Sequence, residues 1–154
     1  MTSTADIYDE RGEQIQSLSI QMRSFGALPA FSGPVRTVRC FQDNALLKSV
    51  LATPGEGAVL VVDGGGSLET ALMGDMIAQS AYENGWAGAI IYGAIRDQVE
   101  IAEIPIGVKA LGSNPRKGGK EGTGEVDVDV HIGGVTFRPG AIVYSDEDGI
   151  LVER

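Results

Sequence analysis

Two short segments carry side chains that could do chemistry together. Arg96-Asp97 follows the apolar run Ala89-Ile90-Ile91-Tyr92-Gly93, which reads as a buried strand, and ligands of α/β sheets bind outside the carboxyl ends of strands. An adjacent Arg and Asp can divide labour: the guanidinium grips a carboxylate in two-pronged fashion, and the carboxylate holds a hard divalent cation through oxygen. A plain surface ion pair is the competing explanation, and adjacency does not exclude it. Gly74-Asp75 stands near the start of a helical stretch, where free N–H groups and the helix dipole can hold a carboxylate or phosphate. The structural alternative is that Asp75 merely favours the N-terminus of its own helix.

Other residues invite weaker readings. Gly64-Gly65-Gly66 lies between a strand and a helix, as phosphate loops do, but it has neither Gly-Lys-Ser/Thr nor the full G-x-G-x-x-G. Tight turning and close packing are the favoured role for these glycines. His131, the only histidine, alternates with Asp127 and Asp129 on one strand face, a pattern expected of a solvated face and not of a metal cluster. Cys40 has no partner for a disulfide or a thiolate zinc site and is expected to be a small buried residue. Trp86 is read as packing, and Asp146-Glu147-Asp148 as an acidic turn.

The elements that must position these residues can be read from periodicity. Asp6 to Arg11 has a helical look, Pro34 to Phe41 alternates as a half-buried strand, and Asp43 is a plausible N-cap for a helix through Val50. Ala58 to Val62 is a strand buried on both faces, Leu72 to Asn84 a helix with Gly85 as its C-cap, and Ala89 to Gly93 a second buried strand. Strand, glycine loop, helix, strand makes a right-handed βαβ unit. Short segments Val99 to Ile104 and Ile106 to Leu111 follow, then a loop rich in Gly, Asn, Pro and Lys. The chain closes in β structure: Val126 to Ile132, a Gly133-Gly134 turn, Val135 to Phe137, a Pro139-Gly140 turn, Ala141 to Tyr144, and Gly149 to Val152.

Composition bounds the function. At 154 residues and 43% hydrophobic, the chain suits one domain spanning 1–154, with an ordinary core. Its longest apolar runs fall far short of the roughly 20 residues a bilayer demands, so a cytoplasmic protein is expected. A net charge of −9 works against nucleic-acid binding, and the one basic stretch, Arg116-Lys117-Gly118-Gly119-Lys120, reads as a solvated loop. Acidity fits a small-molecule enzyme, and equally a protein that competes for a basic partner.

Four motifs then point to one family. Val62-Asp63-Gly64-Gly65-Gly66-Ser67, Tyr92-Gly93-Ala94-Ile95-Arg96, Cys40-Phe41-Gln42-Asp43-Asn44 and Gly133-Gly134-Val135-Thr136-Phe137 resemble the hallmarks of the family named for the regulator of ribonuclease E activity A. The resemblance covers nearly the whole chain and implies a three-layer β/β/α domain of the α/β class, swivelling-domain-like, assembled as a homotrimer or a pair of trimers with sites between subunits. Members that are 4-hydroxy-4-methyl-2-oxoglutarate aldolases carry an acidic residue, twenty residues, then Arg-Asp. Here Asp75, twenty intervening residues and Arg96-Asp97 complete that pattern. The spacing is reasonable if one helix and one strand separate two loops that face one pocket.

Carried over by position, Gly74, Asp75, Met76 and Ile77 are the segment that holds the substrate carboxylate through backbone N–H groups. Arg96 is the substrate grip, Asp97 the ligand of a Mg2+ or Mn2+ ion, and Asp75 a proton shuttle through one water. The implied activity is cleavage of 4-hydroxy-4-methyl-2-oxoglutarate or a related 2-oxo acid to pyruvate, with oxaloacetate decarboxylation at the same site; cation and Arg stabilise the developing enolate charge. The alternative is a non-enzymatic inhibitor of ribonuclease E. A menaquinone-pathway methyltransferase is a remote third reading, because the chain is short and has no recognisable S-adenosylmethionine loop.

Overall fold

The computed structural model describes residues 1–154. In chain order its elements are α1 (Thr4–Arg11), β1 (Ile15–Leu18), β2 (Arg23–Ser24), β3 (Phe31–Arg39), α2 (Ala45–Leu51), β4 (Val59–Asp63), β5 (Ala71–Met73), α3 (Asp75–Glu83), β6 (Gly88–Ile95) and α4 (Gln98–Ile101). They continue with β7 (Gly107–Ser113), β8 (Glu125–Val126), β9 (Val130–Ile132), β10 (Val135–Phe137), β11 (Ile142–Ser145) and β12 (Ile150–Glu153).

The continuous apolar runs become the middle of a parallel sheet. β3, β4, β6 and β7 lie side by side and parallel, with Val61 opposite both Thr37 and Ile90. Val59, Leu60, Val61 and Val62 are all fully buried because the sheet is covered on both faces. Val59, Val61 and Ile90 point into one cluster, Leu60, Val62 and Ile91 into another. Burying each such side chain is worth roughly 1.5–3 kcal/mol.

Two β layers enclose the first of those clusters. β3 belongs to both: Phe31 to Pro34 pair antiparallel with β11, whereas Val35 to Arg39 pair parallel with β4. From this shared strand the sheet continues through β11 and β12 to β1, and the β9–β10 hairpin adds Val130, Ile132, Val135 and Phe137 to the enclosed core. On the other face α2, α3 and α4 pack through Leu47, Leu51, Ile77, Ala78, Ala81 and Ile101. The result is the expected single α/β domain with β/β/α layers.

Two local expectations change, and one segment left without a type acquires one. Leu72 to Asn84 is not one helix: Ala71 to Met73 form β5, paired with Ala94 and Ile95 of β6, and only then does α3 begin. All three residues of β5 are buried, and pairing plus burial outweigh the helical spacing of their apolar side chains. Val126 to Ile132 is interrupted at Asp127, which sits at φ 57 with its carboxylate gripped by Arg36 at 3.0 and 2.9 Å. The pairing pushes the Asp127 pKa down and the Arg36 pKa up, the two-pronged hydrogen bond being the main cause of both shifts. Val99 to Ile104 holds a single helical turn, α4, while β1 and β2 lie in stretches with no clear alternation. No helix is long and apolar enough to cross a membrane.

Candidate functional site

β5 and β6 end side by side and deliver the singled-out residues to one place. β5 passes through Gly74 into α3; β6 passes through Arg96 and Asp97 into α4. The Arg96 N–H donates to the Met73 carbonyl at 2.9 Å, and the Asp75 N–H donates to Asp97 Oδ2 at 3.0 Å. The first turn of α3 is therefore capped by a carboxylate 22 residues away, the interaction its unpaired N–H groups and positive dipole end favour.

Asp97 reaches that position through a left-handed backbone, φ 60 and ψ 46. Asp is among the few residues that adopt this conformation readily, though at some cost. Gly74 leaves the space: a Cβ there would lie 2.6 Å from Asp97 Oδ2 and 3.3 Å from Arg96 Nε. Its φ of −116 is open to any residue, so the requirement for glycine is one of contact and not of conformation.

Arg96 and Asp97 make a poor ion pair. Nε lies 3.9 Å from Oδ2, with the two side chains 41% and 34% exposed, so the contact contributes little stability. The guanidinium instead leans on the Pro115 carbonyl, 3.4 Å from Nη1, leaving the rest of its fork without a protein partner. Asp97 Oδ1 and the Asp75 carboxylate accept no hydrogen bond from the chain. These three free oxygens are hard donors of the kind Mg2+ or Mn2+ takes, and water and substrate would have to supply the rest of the shell, since no three His, Cys, Asp or Glu side chains converge.

The backbone of the expected carboxylate-binding segment is divided. The N–H of Asp75 is committed to Asp97, whereas those of Gly74, Met76 and Ile77 have no acceptor in the protein. The Ile77 side chain packs into the core. Met76 does not: its side chain is 82% exposed, and Val99, in the first turn of α4, is 76% exposed.

The glycine loop has a different task. Gly64 and Gly66 N–H groups both donate to the Tyr92 carbonyl at 3.1 Å, and the Gly65 N–H donates to Asp63 Oδ1 at 3.0 Å. A Cβ on Gly64 would meet Leu72 at 2.6 Å and the Tyr92 carbonyl at 2.8 Å, and Gly65 and Gly66 have φ of 68 and 74. These glycines turn the chain tightly against β6, with their donors used internally.

Sequence reading missed the residues that frame the site from above. The segment after β7 crosses the carboxyl ends of the sheet toward β3. Asn114 ties its start, donating from Nδ2 to Leu68 and Glu69 carbonyls at 2.8 and 3.2 Å and accepting the Arg116 N–H at 3.0 Å. The Ala71 N–H donates to the Arg116 carbonyl at 2.8 Å. Asp43 ties its end: the carboxylate, only 4% exposed, accepts the N–H groups of Ala45, Glu121 and Gly122 at 3.1, 2.7 and 3.2 Å. Burial raises the Asp43 pKa, but these three donors more than offset it and leave the carboxyl below its usual range. The helix cap expected of Asp43 is thus only part of its work, Asn44 occupying the cap position of α2. The Asx-forming types at 43 and 114 were the available signal.

The remaining readings resolve simply. Asp127, Asp129 and His131 are exposed and engage Arg36, Arg138 and Thr136 separately. Trp86 is buried and donates Nε1–H to the Thr53 carbonyl at 2.9 Å. Cys40 is buried and its thiol is pushed up to about 12, chiefly by desolvation. A groove of about 560 Å3 runs between α3 and α4 and shares Asp75 and Met76 with the site; Glu83, Glu100 and Glu103 line it and would repel an anionic substrate.

A β/β/α domain whose two neighbouring strand ends present an Arg-Asp pair against a helix N-terminus defines the class, and comparison with known proteins agrees. The chain belongs to the RraA-like family, Aldolase/RraA, whose model matches residues 4–152. It is similar to a Geobacillus kaustophilus structure described as S-adenosylmethionine: 2-dimethylmenaquinone methyltransferase, at 48% identity and TM-score 0.97, covering 99% of this chain and 94% of that one. The RNA-processing inhibitor RraA from Thermus thermophilus matches at 47% identity and TM-score 0.96, covering 99% and 93%. RraAS2 of Streptomyces coelicolor, an unusual member of the RNase ES inhibitor RraA family, matches at 30% identity and TM-score 0.80, covering 98% and 79%.

Proposed function

We propose that this protein is a divalent-metal-dependent lyase that cleaves 4-hydroxy-4-methyl-2-oxoglutarate, or a closely related 2-oxo acid, to pyruvate and also decarboxylates oxaloacetate. The observation that carries this reading is the Asp75–Asp97 clamp: it presents a carboxylate oxygen, Asp97 Oδ1, and the open fork of Arg96 beside unpaired N–H groups at a helix start. A family whose description includes aldolases supports it.

Each residue then has a task. Gly74, Met76 and Ile77 offer backbone N–H groups to the substrate's C1 carboxylate, with the helix dipole adding to the attraction. Arg96 grips the same end of the substrate and stabilises negative charge as it develops on the 2-oxo oxygen. Asp97 would hold Mg2+ or Mn2+, and Asp75 would share its water shell; when bound, such an ion supplies Lewis-acid polarisation of the 2-oxo group. Asp75, with a carboxylate free of protein hydrogen bonds, moves the proton through one water. The bare Met76 and Val99 flanking the site support assembly as a homotrimer or pair of trimers with the site at a subunit boundary.

The test is pyruvate release from both substrates with magnesium and after chelation. Magnesium-dependent turnover supports the lyase. No turnover on either substrate, from folded protein supplied with magnesium or manganese, overturns it.

A second reading, a protein regulator that binds ribonuclease E, draws support from the name of the Thermus relative and from the acidic groove along α3 and α4. It predicts tight protein binding with no metal requirement. The methyltransferase description of the Geobacillus relative gains no support from the glycine loop, whose N–H groups are already engaged.

A further inference from the structure

Arg116 and Lys117 are adjacent cations in a chain of net charge −9, and like Lys48 and Lys120 they enter no ion pair. The six ion pairs of the molecule involve Arg11, Arg36, Arg39, Arg96 and Arg138, and neither the Arg116 nor the Lys117 side chain makes a hydrogen bond. Both are exposed. Unpaired cations on a loose loop would call for no explanation beyond solubility.

This loop is not loose. The Asn114 N–H donates to the Ile95 carbonyl at 3.0 Å, the Asn114 side chain holds the 68–69 backbone, and the Arg116 carbonyl accepts the Ala71 N–H. Gly119 exchanges backbone hydrogen bonds with Gln42 and Asn44, at 2.8 and 3.2 Å, before Asp43 takes the N–H groups of Glu121 and Gly122. Backbone ties at both ends set the 114–117 segment over the ends of β5 and β6. Pro115, the residue before Arg116, is the one whose carbonyl touches the Arg96 guanidinium. Lys117 is bridged to Ala71, three residues before Gly74. Lys120 lies past the turn, where the loop docks on the end of β3, two strands from β6.

We infer that Arg116 and Lys117 form a subsite for the second, distal carboxylate of the substrate and so select dicarboxylic 2-oxo acids over monocarboxylic ones. The inference rests on the lyase reading. Arg96 and the α3 N-terminus account for one carboxylate, and the loop presents two further cations on the adjoining side. Two positive side chains fixed at their backbone bind an added carboxylate without needing one rigid geometry, and their preference should weaken with salt.

Binding separates this from the catalytic proposal. Pyruvate carries only the first carboxylate; 2-oxoglutarate adds a second. Calorimetric titration of the magnesium-supplemented protein with each is expected to show tighter binding of 2-oxoglutarate. Arg116→Ala/Lys117→Ala should weaken 2-oxoglutarate about tenfold, in line with the loss of charge-assisted hydrogen bonds, while leaving pyruvate within about twofold. Arg116→Lys/Lys117→Arg should restore the preference. The loop's ties are backbone atoms and Asn114, so these variants keep the fold. Equal wild-type affinity for the two acids, or equal weakening of both in the double variant, overturns the subsite and leaves the lyase standing. Binding of neither acid by the wild type overturns both.

Discussion

The backbone N–H of Asp75 donates to Oδ2 of Asp97 at 3.0 Å, joining the start of α3 to the end of β6. One oxygen of the carboxylate is thereby fixed while the other stays open. A side chain held at one atom and free at the next is suited to ligation, because its orientation is set before any ligand arrives. The left-handed backbone of Asp97 and the missing Cβ of Gly74 both serve that contact.

Gly74→Ala tests it sterically. The new Cβ, 2.6 Å from Asp97 Oδ2, must displace the carboxylate, although the backbone conformation accepts alanine. A shift of roughly 1 Å costs about a hundredfold in rate, so kcat/KM should fall by about that factor while the melting temperature changes by only a few degrees. Activity close to wild type would show that the contact does not matter.

Arg96→Lys keeps the charge and loses the fork. The Nη1 contact with Pro115 and two-pronged recognition disappear together, so KM should rise about tenfold or more with little change in stability, the existing ion pair being long and exposed. Michaelis parameters and thermal denaturation measured together separate the two effects.

Acid should loosen the loop that frames the site. Asp43 has a folded pKa below its unfolded value, so its contribution is present above about pH 4 and is lost as pH falls through the depressed value. Asp43→Asn removes that contribution at every pH, since its amide would set an N–H against one of the donors on Oδ1 and Oδ2. A cost of about 1–3 kcal/mol is expected at pH 7, with a smaller gap from wild type at pH 3, read by denaturant unfolding at both pH values.

At the alkaline end Cys40 acts in the opposite sense. Its thiol is raised from 9.0 to about 12, so the folded state keeps a proton that the unfolded chain releases above pH 9. Stability should therefore fall between pH 9 and 12, by up to about 1.4 kcal/mol per pH unit from this group. Cys40→Ala should show a shallower decline over the same range, and the native thiol should resist alkylation until the protein unfolds.

Much of this architecture was legible in the residues, and the gaps have physical causes. Ala58 to Val62 and Ala89 to Gly93 announce buried parallel strands because both faces demand apolar side chains. The β5 segment misleads because Ala-Leu-Met suits a helix equally well, and only its neighbour β6 decides. Asp127 hides a strand break, since its left-handed turn depends on Arg36, 91 residues away. At the site, residue types and spacing bring out Asp75, Arg96 and Asp97. The Asp75–Asp97 bond, the Gly74 contact and the anchoring by Asn114 and Asp43 are long-range and mostly to backbone, so no local pattern records them.

The most direct measurement is pyruvate release from 4-hydroxy-4-methyl-2-oxoglutarate by wild type and Asp97→Asn, each with magnesium and with chelator. Asparagine tolerates the left-handed backbone and still accepts the Asp75 N–H, so the variant should fold normally and lose only the charge. Magnesium-dependent turnover in the wild type and a loss of about a hundredfold or more in Asp97→Asn is the predicted result. Turnover that survives chelation, or an Asp97→Asn protein as active as wild type, would contradict the assignment of Asp97 as the metal ligand of a lyase.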